Sequence, residues 1–378
     1  MNKRVAIVFT DVWLAYSPTT LGIYDSLKKH GVAVVILTVT QNAAYARDLR
    51  RNVVMVDQES NPLGRLHNLA YRIKRRAARF AGRKAAWLYR SLGDYFQFLK
   101  FDRALRRFAP DEIIAVDLRA LAIAQHSLPQ VPVNLVSLEI PEPGEREEQI
   151  AEQRISRVII QSQARLQHLF NDVKPKAFLV QNAPTFRKFP LETSNRMGLV
   201  FCGSAYEGFG IFSCLKFLSV NPEYHLTVKG VVPPQIQQYL KVIFPELLSE
   251  ERLTIDTNYL EMDALVEFLK AFRIGFAFYD TRFDFYDRFN YHTASAGKMF
   301  TYFASGVPVI CNNLPGLRVA EEFGAGVLIE DLDAGSILRA IHKIEANYDY
   351  YAQNCLKAAA HFSFEESLQP FIDELLVS

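Results

Sequence analysis

Short apolar, β-branched runs alternate with helical patterns from one end of the chain to the other, and this alternation restricts the fold more than any other feature of the sequence. Strands buried on both faces read as continuous Val/Ile/Leu runs, and parallel neighbours need crossover helices, so the pattern is that of parallel sheets covered on both sides. Runs at 4–9, 33–37, 53–56, 112–116, 133–137, 157–161 and 177–180 predict the first seven strands. The rhythm breaks over 181–196, where Pro184, Pro190, three basic residues (Arg187, Lys188, Arg196) and the polar run 192–195 mark a connection between domains. It starts afresh at 198–202, 225–229, 253–256, 274–278, 308–311 and 326–329. The expected fold class is α/β, with two doubly wound Rossmann-like domains facing each other across a cleft. The first domain is 1–182, the linker 183–196 and the second domain 197–361. From 333 onward no strand pattern is left, and the tail, including 362–378, reads as helices.

Charge and composition then remove whole classes of function. Lys plus Arg number 43 against 41 Asp plus Glu, a net charge of +2, so the surface as a whole is not a polyanion binder and no nucleic-acid partner is expected. With 49% hydrophobic residues and no low-complexity segment, disordered and fibrous classes are excluded. The apolar run that opens at Val5 stops before Asp11, too short for a signal-peptide core, and no stretch of about 18 apolar residues exists to span a bilayer. Cys202, Cys214, Cys311 and Cys355 lie far apart without metal-ligand spacing and are expected as buried free thiols in a reducing cytoplasm.

The most informative segment is SAGKMFTYFASGVPVI, residues 295–310. Ser295, Ala296 and Gly297 open a short helix with Met299, Phe300 and Phe303 on its buried face, and Gly306 ends it in a left-handed cap. Lys298 falls in the first turn, where the helix already carries partial positive charge, so a lysine there is favourable only with an anion such as a diphosphate. The alternative is a solvated lysine pointing away.

Read from 297 to 341, GKMFTYFASGVPVICNNLPGLRVAEEFGAGVLIEDLDAGSILRAI resembles the GT-B glycosyltransferases, in particular family 4. RVIIQSQARLQHL (157–169), KAFLVQNAP (176–184), GLVFCGSAYEGFG (198–210) and HLTVKG (225–230) support the resemblance in the right order. It implies a nucleotide-sugar donor in the second domain, an acceptor in the first, and a last helix that crosses back to the first domain. The chain departs from the family pattern where two glutamates are usual, since Thr293 and Thr301 stand there. The usual basic pair after the first strand of the second domain is replaced by Ser204 and Phe209. Phosphate charge then falls to Lys298, with help from Lys229, Ser204 and backbone amides near Gly203. Thr301 could still bind a ribose hydroxyl.

Other positions follow from sheet topology, because ligands of open parallel sheets bind beyond the strands' carboxyl ends. Tyr259 lies where such folds hold the nucleotide base. The irregular aromatic segment 279–292, beginning at Tyr279, offers rings for stacking or a self-packed loop. Asp331 and Asp333 spell DxD, but Asp333 precedes a helical run and reads as its N-cap, so no metal and no cofactor beyond the nucleotide sugar is expected. Acids at strand ends of the first domain are Asp11, Asp117 and Glu139. Glu139 matches the place where family 4 members often set a histidine over the donor sugar, and with Asp11 it is the expected catalytic carboxylate. Each could equally be an ordinary loop acid.

Between Glu59 and Asp94 nine basic residues occur without an acid, among them Arg72, Arg75, Arg76, Arg79 and Arg83. Leu66, Leu69, Ile73, Ala77 and Phe80 give the same stretch an apolar helical face. Such a segment suits the inner face of an anionic membrane or an anionic acceptor; a solvated basic face is the plain alternative. Taken together, the sequence reads as a metal-independent transferase moving a hexose-type sugar from a nucleotide diphosphate, UDP by analogy, to a glycan or lipid-linked acceptor. An inactive sugar-nucleotide-binding subunit, or an isomerase or phosphorylase of the same fold, stays open beside it.

Overall fold

The computed structural model describes residues 3–42, 51–57, 83–141, 152–170, 175–283 and 288–377, those of 83–94 by their backbone alone. β1 (Arg4–Phe9), β2 (Ala33–Thr38), β3 (Val53–Met55), β4 (Glu112–Val116), β5 (Val133–Ser137), β6 (Ile155–Ile160) and β7 (Lys176–Leu179) form one sheet in the order 3-2-1-4-5-6-7. β8 (Leu199–Cys202), β9 (Leu226–Lys229), β10 (Leu253–Asp256), β11 (Ile274–Ala277), β12 (Val309–Asn312) and β13 (Gly326–Ile329) form a second in the order 10-9-8-11-12-13. Every pairing is parallel. All thirteen expected strands are present, and β1, β4, β5, β8, β11 and β12 are almost wholly buried, as both-faced covering requires. β6 begins two residues earlier than its apolar run, because the register against β5 shifts between Val133 and Asn134 and leaves Ser156 as an extra residue.

Helices on both faces complete the cores. In the first domain Leu21, Ile23, Tyr24 and Leu27 pack against one face of the sheet, and Leu118, Leu121 and Ala124 against the other. The last helix, Phe364–Val377, lies on the first sheet rather than the second, burying Phe364, Leu368, Phe371, Ile372 and Leu375 among Val5, Ile7 and Leu27. At about 1.5–3 kcal/mol per fully buried large side chain, this contact ties the chain's end firmly to its beginning. Lys176 and Arg157 pair with Glu374, and Lys29 with Glu365, at the rim of the same contact.

The helix over Gly297–Ala304 forms with Met299, Phe300 and Phe303 buried, and Gly306 caps it at φ 64°. Tyr302 is buried too. It fits because Gly275 leaves room for its ring, and its hydroxyl receives the Cys202 amide at 2.7 Å. Arg196, at the end of the linker, donates to the carbonyls of Ser305 and Gly306, placing a cation at the negative end of the helix. Asp333 caps the helix Ala334–Glu345 by accepting from Ser336 N at 3.0 Å. The four thiols are free and buried, and burial pushes Cys202 up to about 11. Among the described residues no helix is long and apolar enough to cross a membrane. Arg72, Arg75, Arg76 and Arg79 lie outside the described residues, and Arg83 is the first residue of the helix Arg83–Phe108.

Candidate active site between the two sheets

Each sheet has one place where the connections change direction, between β1 and β4 in the first and between β8 and β11 in the second. These switch points open a crevice beyond the strand ends, and the loops there carry the candidate residues. On the second sheet the glycine loop 203–210 follows β8. Gly203 (φ 108°) and Gly230 (φ 138°) let the loops after β8 and β9 touch, since a Cβ on Gly230 would collide with the Gly203 carbonyl.

Lys298 reaches beneath this loop. Its ammonium is buried, makes no hydrogen bond among the described residues, and sits 4.2 Å from the ring centre of Phe201 and 5.1 Å from that of Phe209. Phe209, at the place where the family 4 resemblance leads one to expect a basic residue, thus covers the Lys298 cation with its ring. Desolvation lowers the Lys298 amine to about 8, and the neighbouring Cys202, Cys214 and Cys311 stay protonated and supply no charge to pair with it. A buried cation without an anion is a costly arrangement, and a bound diphosphate would relieve it.

The other donor-side candidates divide. Lys229 is committed elsewhere: its register partner in β10 is Asp256, and its ammonium lies 2.7 Å from that carboxylate and 2.7 Å from the Asn258 carbonyl. Its ammonium is thus held within the second sheet, whereas the sequence expectation had it assisting with phosphate. The Tyr259 hydroxyl donates to Ala15 O at 3.3 Å and its ring meets Tyr16 across the domain boundary. Tyr279 is buried, held by Asn312 through both backbone groups, with its ring against Tyr291 and Phe209. Ser295 donates to Gln181 at 2.5 Å, and Gly297 is needed because a Cβ there would press on Asn182. The last residues of the first domain thereby seat the N-terminus of the key helix. Thr301 bonds back to Gly297 O at 3.0 Å, and Ser204 is half-buried in the glycine loop.

Facing them, the first sheet brings Asp11, Asp117 and Glu139 to the ends of β1, β4 and β5. Glu139 is exposed to the cleft, yet the protein around it raises its carboxyl, a rise opposed by Asn290 and Arg165. Asp11 is exposed and is raised by desolvation, against Arg119. Asp117 is raised furthest, to about 7, by desolvation and then by the charge of Glu139, while the amides of Leu138 and Glu139 act the other way. Sequence reasoning named Asp117 as a strand-end acid without giving it a role; its position directly after the switch strand was the available signal.

Two further residues were missed altogether. Arg165 is fully buried, and donates to Leu138 O at 2.8 Å, to Asn290 O at 3.0 Å, to Asn290 Oδ1 at 2.9 Å and to Thr293 Oγ1 at 3.3 Å. Asn290, from the second domain, accepts the Ile140 amide at 2.9 Å and donates to the Glu139 carboxylate. A second-domain side chain therefore clasps the carboxylate edge of the first. His168 stacks on Phe289 at 3.9 Å beside it.

No family model and no curated protein matches the chain. Solved structures do match, over its whole length. A sucrose-phosphate synthase from Thermosynechococcus elongatus gives a TM-score of 0.67 at 12% identity, with 99% of this chain and 98% of that chain covered. HepE from Anabaena, in complex with UDP and glucose, gives 0.64 at 14% identity, covering 100% of both chains. An α,α-trehalose-phosphate synthase (UDP-forming) from Burkholderia vietnamiensis gives 0.60 at 14% identity, again over 100% of both. The two parallel-sheet domains thus have the GT-B fold.

Proposed function

We propose that the protein is a glycosyltransferase that transfers a hexose-type sugar from a UDP-sugar, held by the second domain, to a glycan or lipid-linked acceptor held by the first. The observation that carries this reading is the buried, unpartnered Lys298 ammonium beneath a glycine loop, opposite an edge of carboxylates. A cation so placed stabilises the charge that develops on a leaving diphosphate, and the facing acids can take a proton from an attacking hydroxyl. The resemblance to family 4 in 297–341 and the UDP bound by the structural neighbour HepE agree with it. A thermal-shift panel of nucleotide sugars tests it, because a donor that binds only the native state raises the melting temperature. Failure of every nucleotide sugar and of UDP to do so would sink the reading.

Two expectations follow for the same site. UDP-glucose affinity should hold at pH 7 and weaken above about pH 8, as the Lys298 ammonium loses its proton; calorimetry from pH 7 to 9 measures this, and a flat profile counts against Lys298. Turnover should survive EDTA, since Asp333 is occupied as a helix cap and, among the described residues, no cluster of three acids, histidines or cysteines could hold a metal ion.

The basic segment from Arg65 to Arg90 is proposed to bring the enzyme to an anionic membrane surface, each basic residue contributing about 1 kcal/mol near such lipid. Vesicle pelleting should rise with anionic lipid, fall with salt, and drop when Arg75, Arg76 and Arg79 are changed together to glutamine. Pelleting indifferent to all three would show that the segment does not bind lipid.

A further inference from the structure

We propose that Asp117 is the proton carrier of this site, taking the proton of the attacking hydroxyl on its free Oδ2 while Glu139 stays tied to Asn290. The inference rests on the glycosyltransferase reading and places the proton on Asp117 in preference to Asp11 or Glu139. Three observations carry it.

The first is backbone conformation. Non-glycine residues with positive φ among the described residues are Ala109, Asp117 and Glu251. Ala109 and Glu251 follow helix ends, where a left-handed residue is an ordinary cap. Asp117 (φ 64°) instead turns the chain from β4 directly into the helix Asp117–Ser127, at the switch point of the sheet. Strain of about 1 kcal/mol or more is kept at such a position only where the surroundings enforce it, and functional sites are where it collects.

The second is the way its carboxylate is held. Oδ1 accepts the amides of Leu138 at 2.8 Å and Glu139 at 3.0 Å, so the group is oriented by the loop after β5. Oδ2 has no hydrogen-bond partner among the described residues, and Asp117 is only half-buried. Glu139 is in the opposite situation: Asn290 donates to its Oε2, and the Arg165 charge favours its ionised form. One acid has an oxygen engaged by Asn290 across the domain boundary, and the other is left with a vacant oxygen.

The third is the charge environment. Asp11 from the loop after β1 and Glu139 from the loop after β5 face Asp117 with like charge, Arg165 faces both Asp117 and Glu139, and Arg119, on Asp117's own helix, faces Asp11. Desolvation and the acids prevail, so Asp117 changes protonation at about pH 7, where a base is both available and strong enough to be useful.

In the reaction, the acceptor oxygen bonds to the anomeric carbon as its proton passes to Asp117 Oδ2. The bond from that carbon to the diphosphate oxygen breaks, and its electron pair leaves on the nucleoside diphosphate beside Lys298. Asp117 then returns the proton to solvent. With water in the acceptor's place the same steps give slow donor hydrolysis, so the test requires no knowledge of the natural acceptor.

The experiment uses the full chain, UDP and a panel of UDP-sugars beginning with UDP-glucose, from pH 5 to 9. Asp117→Asn keeps the Oδ1 acceptor and the shape of the side chain. It should bind UDP within twofold of the parent, release UDP from the sugar at least 100-fold more slowly, and lose the rise in rate that the parent shows through about pH 7. Glu139→Gln should move that rise to lower pH, because it removes a like charge from Asp117. An infrared band of a protonated carboxylic acid that titrates near pH 7 should disappear in Asp117→Asn, a reading that needs no turnover. Retention of the band, or of the pH-dependent rise with activity within threefold, overturns the assignment. Absence of UDP binding by the parent protein overturns the glycosyltransferase reading itself, and the proposal with it; unaltered UDP binding separates the two failures.

Discussion

Replacing Lys298 with methionine should raise the melting temperature of the ligand-free protein and remove its response to UDP. The ammonium is buried without a hydrogen bond, and desolvation takes its pKa from 10.5 to about 8. At 1.36 kcal/mol per pKa unit, holding that charge costs the fold on the order of 3 kcal/mol at neutral pH, before the two aromatic faces recover a part. Methionine keeps the unbranched stem and packs on Phe201 and Phe209 without the charge. The folded pKa lies below the unfolded one, so the cost is fully present below about pH 8 and fades as pH approaches 10.5; the variant's advantage should shrink over the same range. Binding, by contrast, loses a charge-assisted hydrogen bond of about 1.5–3 kcal/mol. Scanning fluorimetry with and without UDP reads both effects. A variant no more stable than its parent, with its UDP response intact, would remove Lys298 from the donor site.

Arg165→Met should act in the opposite direction, lowering the denaturation midpoint by an amount corresponding to about 3–5 kcal/mol. The guanidinium is fully buried and serves Leu138 O, Asn290 O, Asn290 Oδ1 and Thr293 Oγ1. Its removal strands those acceptors and leaves Glu139 without its nearest counter-charge, which is the expensive way to break a buried ionic cluster. Desolvation lowers the Arg165 pKa, which shows how much the fold already sets against housing the group. Combined with Asn290→Ala, the loss should be well short of additive, because both substitutions break the same bonds. Chemical denaturation of the two single variants and the double variant measures it, and strict additivity would show that the two residues do not act together.

The strands and the key helix were legible because their information is local: buried runs, a glycine cap, and a lysine in the wrong end of a helix. Ser156 shows the limit of that reading, since an extra residue in β6 is invisible until β5 is laid beside it. Lys229 shows another. A lysine ending a strand beside a phosphate site is a fair donor contact until the parallel register puts Asp256 opposite it, 27 residues away in sequence. Tyr259 was placed on the correct domain, but its contact with Ala15 depends on how the domains meet. Arg165 and Asn290, 125 residues apart, form a site only through that meeting, and neither residue type announces it.

Asn290 has one more consequence. Its side chain is attached at the same time to the Glu139 carboxylate, the Ile140 amide and the Arg165 guanidinium, all from the opposite domain. Any parting of the two sheets must undo these bonds together, and with them the support that holds Glu139 in place. The seating of the two sheets on each other and the placing of Glu139 are therefore linked. On the proposed function, a donor in an opened cleft would meet water with the carboxylate edge disassembled, and the joint between the domains would act as an interlock against wasteful hydrolysis.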